Sequence, residues 1–165
     1  PFLASRFSEE FPDISPDGSW LLYTSDESEK REVFVRALSG EGAAVQVSSG
    51  GGTAPLWSRD GASIYYWQAV DEGKSAYSIF LRVRVTRVSG SLTFGPPERL
   101  FEGRYLAAFA SPGQVWDVAP EGRFLLPKLL TESDARVRGE KIFPDRIVVD
   151  TGGVAHLLAV AKAGR

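Results

Sequence analysis

Short apolar runs, rich in aromatic and β-branched residues, alternate along the chain with tight polar turn signals. Ile14 leads into Ser15-Pro16-Asp17-Gly18, and Trp20-Leu21-Leu22-Tyr23 follows. Such a pair of runs around a compact turn predicts two antiparallel strands. A period of two then appears downstream. Leu81, Val83 and Val85 fall on one parity, Arg82 and Arg84 on the other, and Val33 and Val35 are set against Arg36 in the same way. That alternation places the two sets on opposite faces of a strand. The pattern predicts third strands over Glu32–Ala37, Tyr77–Val85 and Arg146–Val149, and fourth strands over Val45–Ser48 and Glu98–Phe101.

The hairpin recurs. Phe11 to Tyr23 is one copy, Ala54 to Tyr66 a second and Val115 to Leu126 a weaker third. From Ser15 to Ser58 the spacing is 43 residues, and from Ser58 to Ala119 it is 61. The first spacing lies within the roughly 40–50 residues of a propeller blade. The excess in the second is expected in loops at Val70–Ala76 and Glu102–Gln114. Each turn has its own chemistry. Pro16 presets φ, Asp17 reaches nearby backbone and Gly18 accepts positive φ. The repeat motif comprises Ser15, Pro16, Asp17 and Gly18, then Trp57, Ser58, Asp60 and Gly61, then Trp116, Pro120, Glu121 and Gly122. Ser49-Gly50-Gly51-Gly52 separates the first two units. It lacks the Lys and following helix of a phosphate-binding loop, so it is read as a connector.

Composition narrows the function classes. The chain has 165 residues, 43% hydrophobic and 24% charged, which suits a globular domain with a core. A net charge of -2 and no Lys/Arg run argue against nucleic acid as a partner. The longest apolar stretch, Val154–Ala163, is interrupted by His156 and Lys162 and is too short to span a membrane. With no Cys, neither disulfides nor thiolate metal sites are available. With no Met, the chain is expected to be a piece of a longer protein, and any targeting signal is expected outside it.

On these residues the chain resembles the TolB-like, WD40-like propeller repeats known as PD40. The hallmark is an aromatic or apolar residue, then Ser-Pro-Asp-Gly, then a strand ending near Tyr. Ile14-Ser15-Pro16-Asp17-Gly18 to Tyr23 matches it, as does Trp57-Ser58-Arg59-Asp60-Gly61 to Tyr66. The run Leu100–Tyr105 followed by Trp116–Leu125 is similar to the last blades of propellers fused to bacterial serine/threonine kinases. The resemblance implies an all-β chain: a β-propeller fragment of about three four-stranded antiparallel blades from a six-bladed ring. Residues 1–10 would end a preceding blade, 11–52 form blade one, 53–105 blade two and 106–150 blade three, with 151–165 a tail. It also implies an extracytoplasmic setting.

Asp17, Asp60 and Glu121 could form a ring of carboxylates for a cation, but at one per blade each is expected to cap its own turn. Trp57 and Trp116 are assigned to packing between blades, whereas Tyr66 and Trp67 are expected to reach a surface. Arg36, Arg82, Arg84, Arg87 and Arg99 could form a small basic face or simply protect strand edges. His156 is the single histidine, with no Gly-x-Ser-x-Gly elbow to accompany it. No catalytic, metal or cofactor-binding residue is assigned.

The expected function is a non-catalytic module for protein–protein interaction or ligand sensing. The partner would be another protein or the remaining blades of its own chain, with self-association through open blade edges as a further expectation. Contacts would come from Val70–Ala76, Glu102–Gln114 and Thr131–Ile142. The alternative is a regulatory or substrate-gating segment of a kinase or S9-type peptidase whose catalytic domain lies elsewhere.

Overall fold

The computed structural model describes residues 5–71, 76–103, 105, 114–119, 122–128, 148–150 and 159–160. Within them the chain is all β, in three antiparallel sheets that follow one another in sequence. The first holds β1 (Glu9–Ile14), β2 (Trp20–Ser25), β3 (Glu32–Ala37) and β4 (Val45–Gln46), each paired with the next. The second holds β5 (Thr53–Trp57), β6 (Ser63–Asp71), β7 (Ala76–Val88), β8 (Ser91–Phe94) and β9 (Glu98–Gly103). The third holds β10 (Asp117–Val118), β11 (Phe124–Lys128), β12 (Val148–Asp150) and β13 (Ala159–Val160). Three such meanders packed face to face form an arc of β-propeller blades.

The second blade departs from the four-strand plan. Its β7 runs to Val88, beyond the expected end at Val85. Ser89 and Gly90, at φ 49 and 82, then turn it tightly into β8. Positive φ at both central residues is the hairpin turn that matches strand twist. Both β8 and β9 pair with β7, β8 along Val85–Val88 and β9 along Ser78–Arg82. They are two segments of one fourth strand. Pro96 and Pro97 interrupt it opposite Val83, because neither has an N–H to give the ladder.

A second irregularity repeats. The β1–β2 register shifts between Glu10 and Asp13, and the β5–β6 register shifts between Thr53 and Leu56. At the heart of each bulge a non-glycine residue adopts positive φ: Phe11 at 53 and Ala54 at 47. Each lies four residues before its turn serine. The left-handed conformation costs a non-glycine residue about 1–3 kcal/mol. At Ala54 the buried carbonyl accepts hydrogen bonds from the third blade, from Trp116 Nε1 at 3.0 Å and Gln114 Nε2 at 3.3 Å.

The core is divided between blade interfaces. Leu22, Val33 and Val35 of the first blade pack against Trp57, Ile64, Tyr66 and Val83 of the second. Trp67 and Phe80 of the second pack against Trp116, Val118, Phe124 and Leu126 of the third, with Phe11 and Ala54 joining them. The expected surface position of Tyr66 and Trp67 is therefore corrected: they are 1% and 2% exposed. The physical reason is that β6 lies inside its sheet with a blade on either face. Tyr66 points to the first blade and Trp67 to the third, so alternation sends both inward. On the other face of blade one, Leu21, Tyr23 and Phe34 form a third cluster with Leu38 and Ala44 packed against it.

The connector between blades one and two is held by a buried side chain. Glu32, buried, accepts hydrogen bonds from the Ser48 hydroxyl and from the Gly51 N–H at 2.7 Å. The Gly52 N–H goes to the Arg31 carbonyl at 2.8 Å. A side chain at Gly52 would collide with Ser48, with Cβ–Oγ at 2.5 Å and Cβ–Cβ at 2.8 Å. The glycines thus let the backbone approach a protein carboxylate.

Candidate functional site

The recurring turn forms the same hydrogen-bonded unit in blades one and two. The Gly18 N–H donates to the Ser15 carbonyl at 2.8 Å, closing a turn with Pro16 and Asp17 at its centre and Gly18 at φ 71. The Ser15 hydroxyl donates to Asp17 Oδ1 at 2.6 Å and accepts the Trp20 N–H at 3.0 Å. Asp17 Oδ1 also accepts the Ser19 N–H at 3.2 Å. In blade two the Ser58 hydroxyl reaches Asp60 at 2.6 Å and accepts the Ser63 N–H at 2.9 Å, while Asp60 accepts the Ala62 N–H at 3.0 Å. Gly61 sits at φ 67.

The electrostatics follow from these bonds. The Ser15 hydroxyl, aided by the Ser19 N–H and the Arg87 guanidinium, holds the Asp17 carboxyl down at about 2. The Ser58 hydroxyl likewise lowers Asp60. Asp60 spends its acceptors on its own turn, whereas Asp17 divides them between its turn and Arg87. Among the described residues, no group of three or more His, Cys, Asp or Glu is placed to hold a metal ion.

The third turn is different. The Gly122 N–H donates to the Ala119 carbonyl at 2.8 Å, with Gly122 at φ 81. Ala119 has no hydroxyl, and Val118 pairs with Phe124 where Ile14 pairs with Leu21 and Trp57 with Ile64. The loop is thus one residue shorter than its counterparts. Pro120 and Glu121 lie outside the described residues, as do His156 and most of the three long connections.

The tryptophans divide by register. Trp57 immediately precedes Ser58 and belongs to the interface of blades one and two. Trp116 stands three residues before Ala119 and belongs to the interface of blades two and three. Of the arginines, Arg82 pairs with Glu98 at 2.7 Å, Arg99 with Glu102, and Arg87 with Asp17. The first two pairs lie within one sheet edge, and the third bridges blades, so these cations are spread out rather than gathered into one face.

Arg87 stands beside a surface groove. It lies on the overhanging part of β7, which with β8 extends past the start of β6 by about 13 Å at roughly 3.3 Å per residue. From there its guanidinium pairs with Asp17 of the first blade's turn and lies against Gly61 of the second blade's turn, where an added Cβ would stand 3.2 Å from Nη2. One arginine thereby clamps two successive turns. Between the overhanging hairpin and blade one lies a groove of about 930 Å³. Its apolar walls are Trp20, Val35 and Val45 on one side and Leu92 and Phe94 on the other, with Glu41 and the Asp17–Arg87 pair at its polar margin. Sequence reasoning missed the groove. The available signal was the alternation of Leu92 and Phe94 directly after Ser89-Gly90, which marks a strand with one apolar face.

Radial four-stranded sheets, a repeated bulge and a repeated serine–aspartate turn define this chain as an arc of a β-propeller. No protein-family model matches its sequence, and no curated protein does. Among solved structures it is similar to a putative 6-phosphogluconolactonase from Bacteroides uniformis, with a TM-score of 0.50 and 14% identity over 96% of this chain and 40% of that one. A second is TolB from Acinetobacter baumannii, with a TM-score of 0.43 and 14% identity over 96% of this chain and 44% of that one. The chain spans less than half the length of either structure. At such identity the likeness concerns the fold alone.

Proposed function

We propose that this chain acts by binding rather than by chemistry, as part of a TolB-like, PD40-type propeller of six blades that docks a peptide segment of another protein. The observation that carries this reading is the groove beside the β7–β8 hairpin. It is built by the part of blade two that the repeat does not contain, and unrepeated elements on a rigid scaffold are where propellers diversify. The hairpin also offers a strand edge. β8 pairs with β7 on one side, and among the described residues no strand covers the other. An extended peptide can add to such an edge while placing apolar side chains against Leu92 and Phe94.

The ionisable groups support binding over catalysis. Asp17 and Asp60 are bound by turn hydroxyls, Glu98 is lowered chiefly by its hydrogen bond from Arg82, and Asp13 accepts the Trp57 N–H at 2.7 Å. Each is engaged in holding the fold.

Random-peptide selection on the purified chain, followed by backbone NMR titration, tests the proposal. Selected peptides should carry alternating apolar residues, shift the signals of Ser91–Phe94 and Trp20, and lose affinity about tenfold or more with Leu92→Asp. Peptides that bind without perturbing the groove, or that are indifferent to Leu92→Asp, would refute it.

A further inference from the structure

We infer, resting on the peptide-docking reading above, that the groove recognises the backbone of its ligand. The bound segment is a short antiparallel strand that hydrogen-bonds to Leu92 and Phe94, with an apolar–polar–apolar order of side chains.

The register follows from the β7–β8 hairpin. The Gly95 N–H donates to the Arg84 carbonyl at 2.9 Å. An antiparallel ladder alternates pairs that exchange hydrogen bonds with pairs that do not. Counted from Arg84 and Gly95, the bonded pairs are Thr86 with Thr93 and Val88 with Ser91. Val85 with Phe94 and Arg87 with Leu92 are the pairs that exchange none. β7 confirms the parity, because the Val85 N–H points away from β8 to the Ala62 carbonyl at 2.9 Å. The N–H and C=O groups of Leu92 and Phe94 therefore face the edge of the sheet that no strand covers among the described residues.

Both ends of that edge are closed. Past Phe94, Gly95 turns its N–H inward to Arg84, and Pro96 and Pro97 have none to offer. Before Leu92, Ser91 faces β7 and the chain turns away at Ser89-Gly90. The edge can thus bond two ligand residues, those opposite Leu92 and Phe94, with one residue between them.

The side-chain pattern comes from the same register. Residues opposite each other on neighbouring strands share a face. The two bonded ligand residues therefore project into the groove beside Leu92 and Phe94. That surface is open: Leu92, Phe94 and Trp20 are partly exposed, and Val45 across the groove is 46% exposed. The residue between them points to the other face, where Thr93 is exposed, and is polar. β-branched side chains suit the two apolar positions. The antiparallel sense is that of every pair in this sheet, and parallel pairing is slightly less stable per residue.

The test uses the full chain and the peptide acetyl-Lys-Ile-Thr-Ile-Lys-amide, together with forms N-methylated singly at the first Ile, the Thr or the second Ile. In the free chain the Leu92 and Phe94 amides should exchange quickly and that of Thr93 slowly. The peptide should slow exchange at Leu92 and Phe94. In NMR titrations, methylation at either Ile should weaken binding about tenfold or more, since it removes a hydrogen bond to the edge. Methylation at Thr, whose N–H points away from β8, should change affinity by less than about threefold. Equal losses at all three positions, or loss at Thr alone, would overturn the inference. So would protection of Leu92 and Phe94 in the free chain, which at rising concentration would place a second copy on the edge. A peptide that shifts Trp20 and Ser91–Phe94 without this pattern would sink the register and leave groove docking standing. One that shifts neither would sink both.

Discussion

The contact between blades one and two and the contact between blades two and three arise from the same repeat, yet they are built differently. The first is mostly β-branched: Leu22, Val33 and Val35 meet Ile64, Val83, Tyr66 and Trp57. It is pinned by polar links across the seam. The Trp57 N–H donates to Asp13, the Ala54 N–H to Thr24 Oγ1 at 3.2 Å, and Arg87 pairs with Asp17. The second contact is aromatic. Phe80 stacks on Phe101 at 4.8 Å and meets Tyr105, Trp116 and Phe124 edge-on at 5.4, 5.6 and 6.4 Å. Where the repeat keeps its spacing of 43 residues, equivalent positions supply both the packing and the pins. Where the spacing stretches to 61 and the turn loses its hydroxyl, bulky rings fill the seam and Trp116 supplies a longer-reaching hydrogen bond.

This contrast predicts a graded set of outcomes. The largest effect should come from Phe80→Ala, which removes the ring at the centre of the aromatic seam. It should cost about 3–5 kcal/mol in denaturant unfolding, and a cost below that of Ile64→Val would break the comparison. Next is Gly52→Ala, where the new Cβ must displace Ser48. The overpacking should cost about 1–3 kcal/mol by the same measurement. Trp116→Phe keeps one aromatic ring but removes the five-membered ring and the N–H given to Ala54. It should cost about 1–3 kcal/mol from the lost hydrogen bond and the space left behind, with amide exchange accelerated near Ala54.

Smaller effects distinguish the turns. Ser58→Ala makes the second turn resemble the third and should cost about 1 kcal/mol. It should also raise the Asp60 carboxyl toward its ordinary value, as read by carboxyl NMR titration. The sign in pH follows directly. Asp17 and Asp60 have lowered folded values, so their contribution is present above about pH 4 and is lost as pH falls through those values. Ser58→Ala should flatten that acid loss. Asp13 behaves in the opposite sense. Burial raises its carboxyl, against the lowering effect of the Trp57 N–H, so the ionised form costs stability at neutral pH and the cost fades as pH falls through the raised value. The smallest effect should therefore be Asp13→Asn, which retains an acceptor for Trp57 and should be neutral or slightly stabilising at pH 7. Clear destabilisation by that change would show that the charge itself holds the seam.

Much of the blade plan was legible because its causes are local. Pro16, Asp17 and Gly18 carry turn chemistry within four residues, and the expected bounds Glu32–Ala37 match β3 at both ends. The bulges were not legible. Phe11 and Ala54 adopt a conformation that neither residue favours, and the bond seen at Ala54 comes from a blade some 60 residues away. Tyr66 and Trp67 were misplaced for a related reason. Read as the end of a strand they are expected at a surface, but β6 runs on to Asp71 and blades on both sides of it bury each face.

The candidate groove divides along the same line. Ser89-Gly90 and the alternation of Leu92 with Phe94 encode a hairpin by themselves, because turn sterics and strand period act over a few residues. That the hairpin overhangs blade one, brings Arg87 onto the Asp17 turn and encloses a groove required the stacking of two sheets. The sequence alone determined the propeller repeat and the chemistry of its turns, since short-range backbone preferences dictate both. Only the tertiary structure decided which faces are buried, which carbonyls meet distant donors and where cavities open, because those depend on contacts between blades.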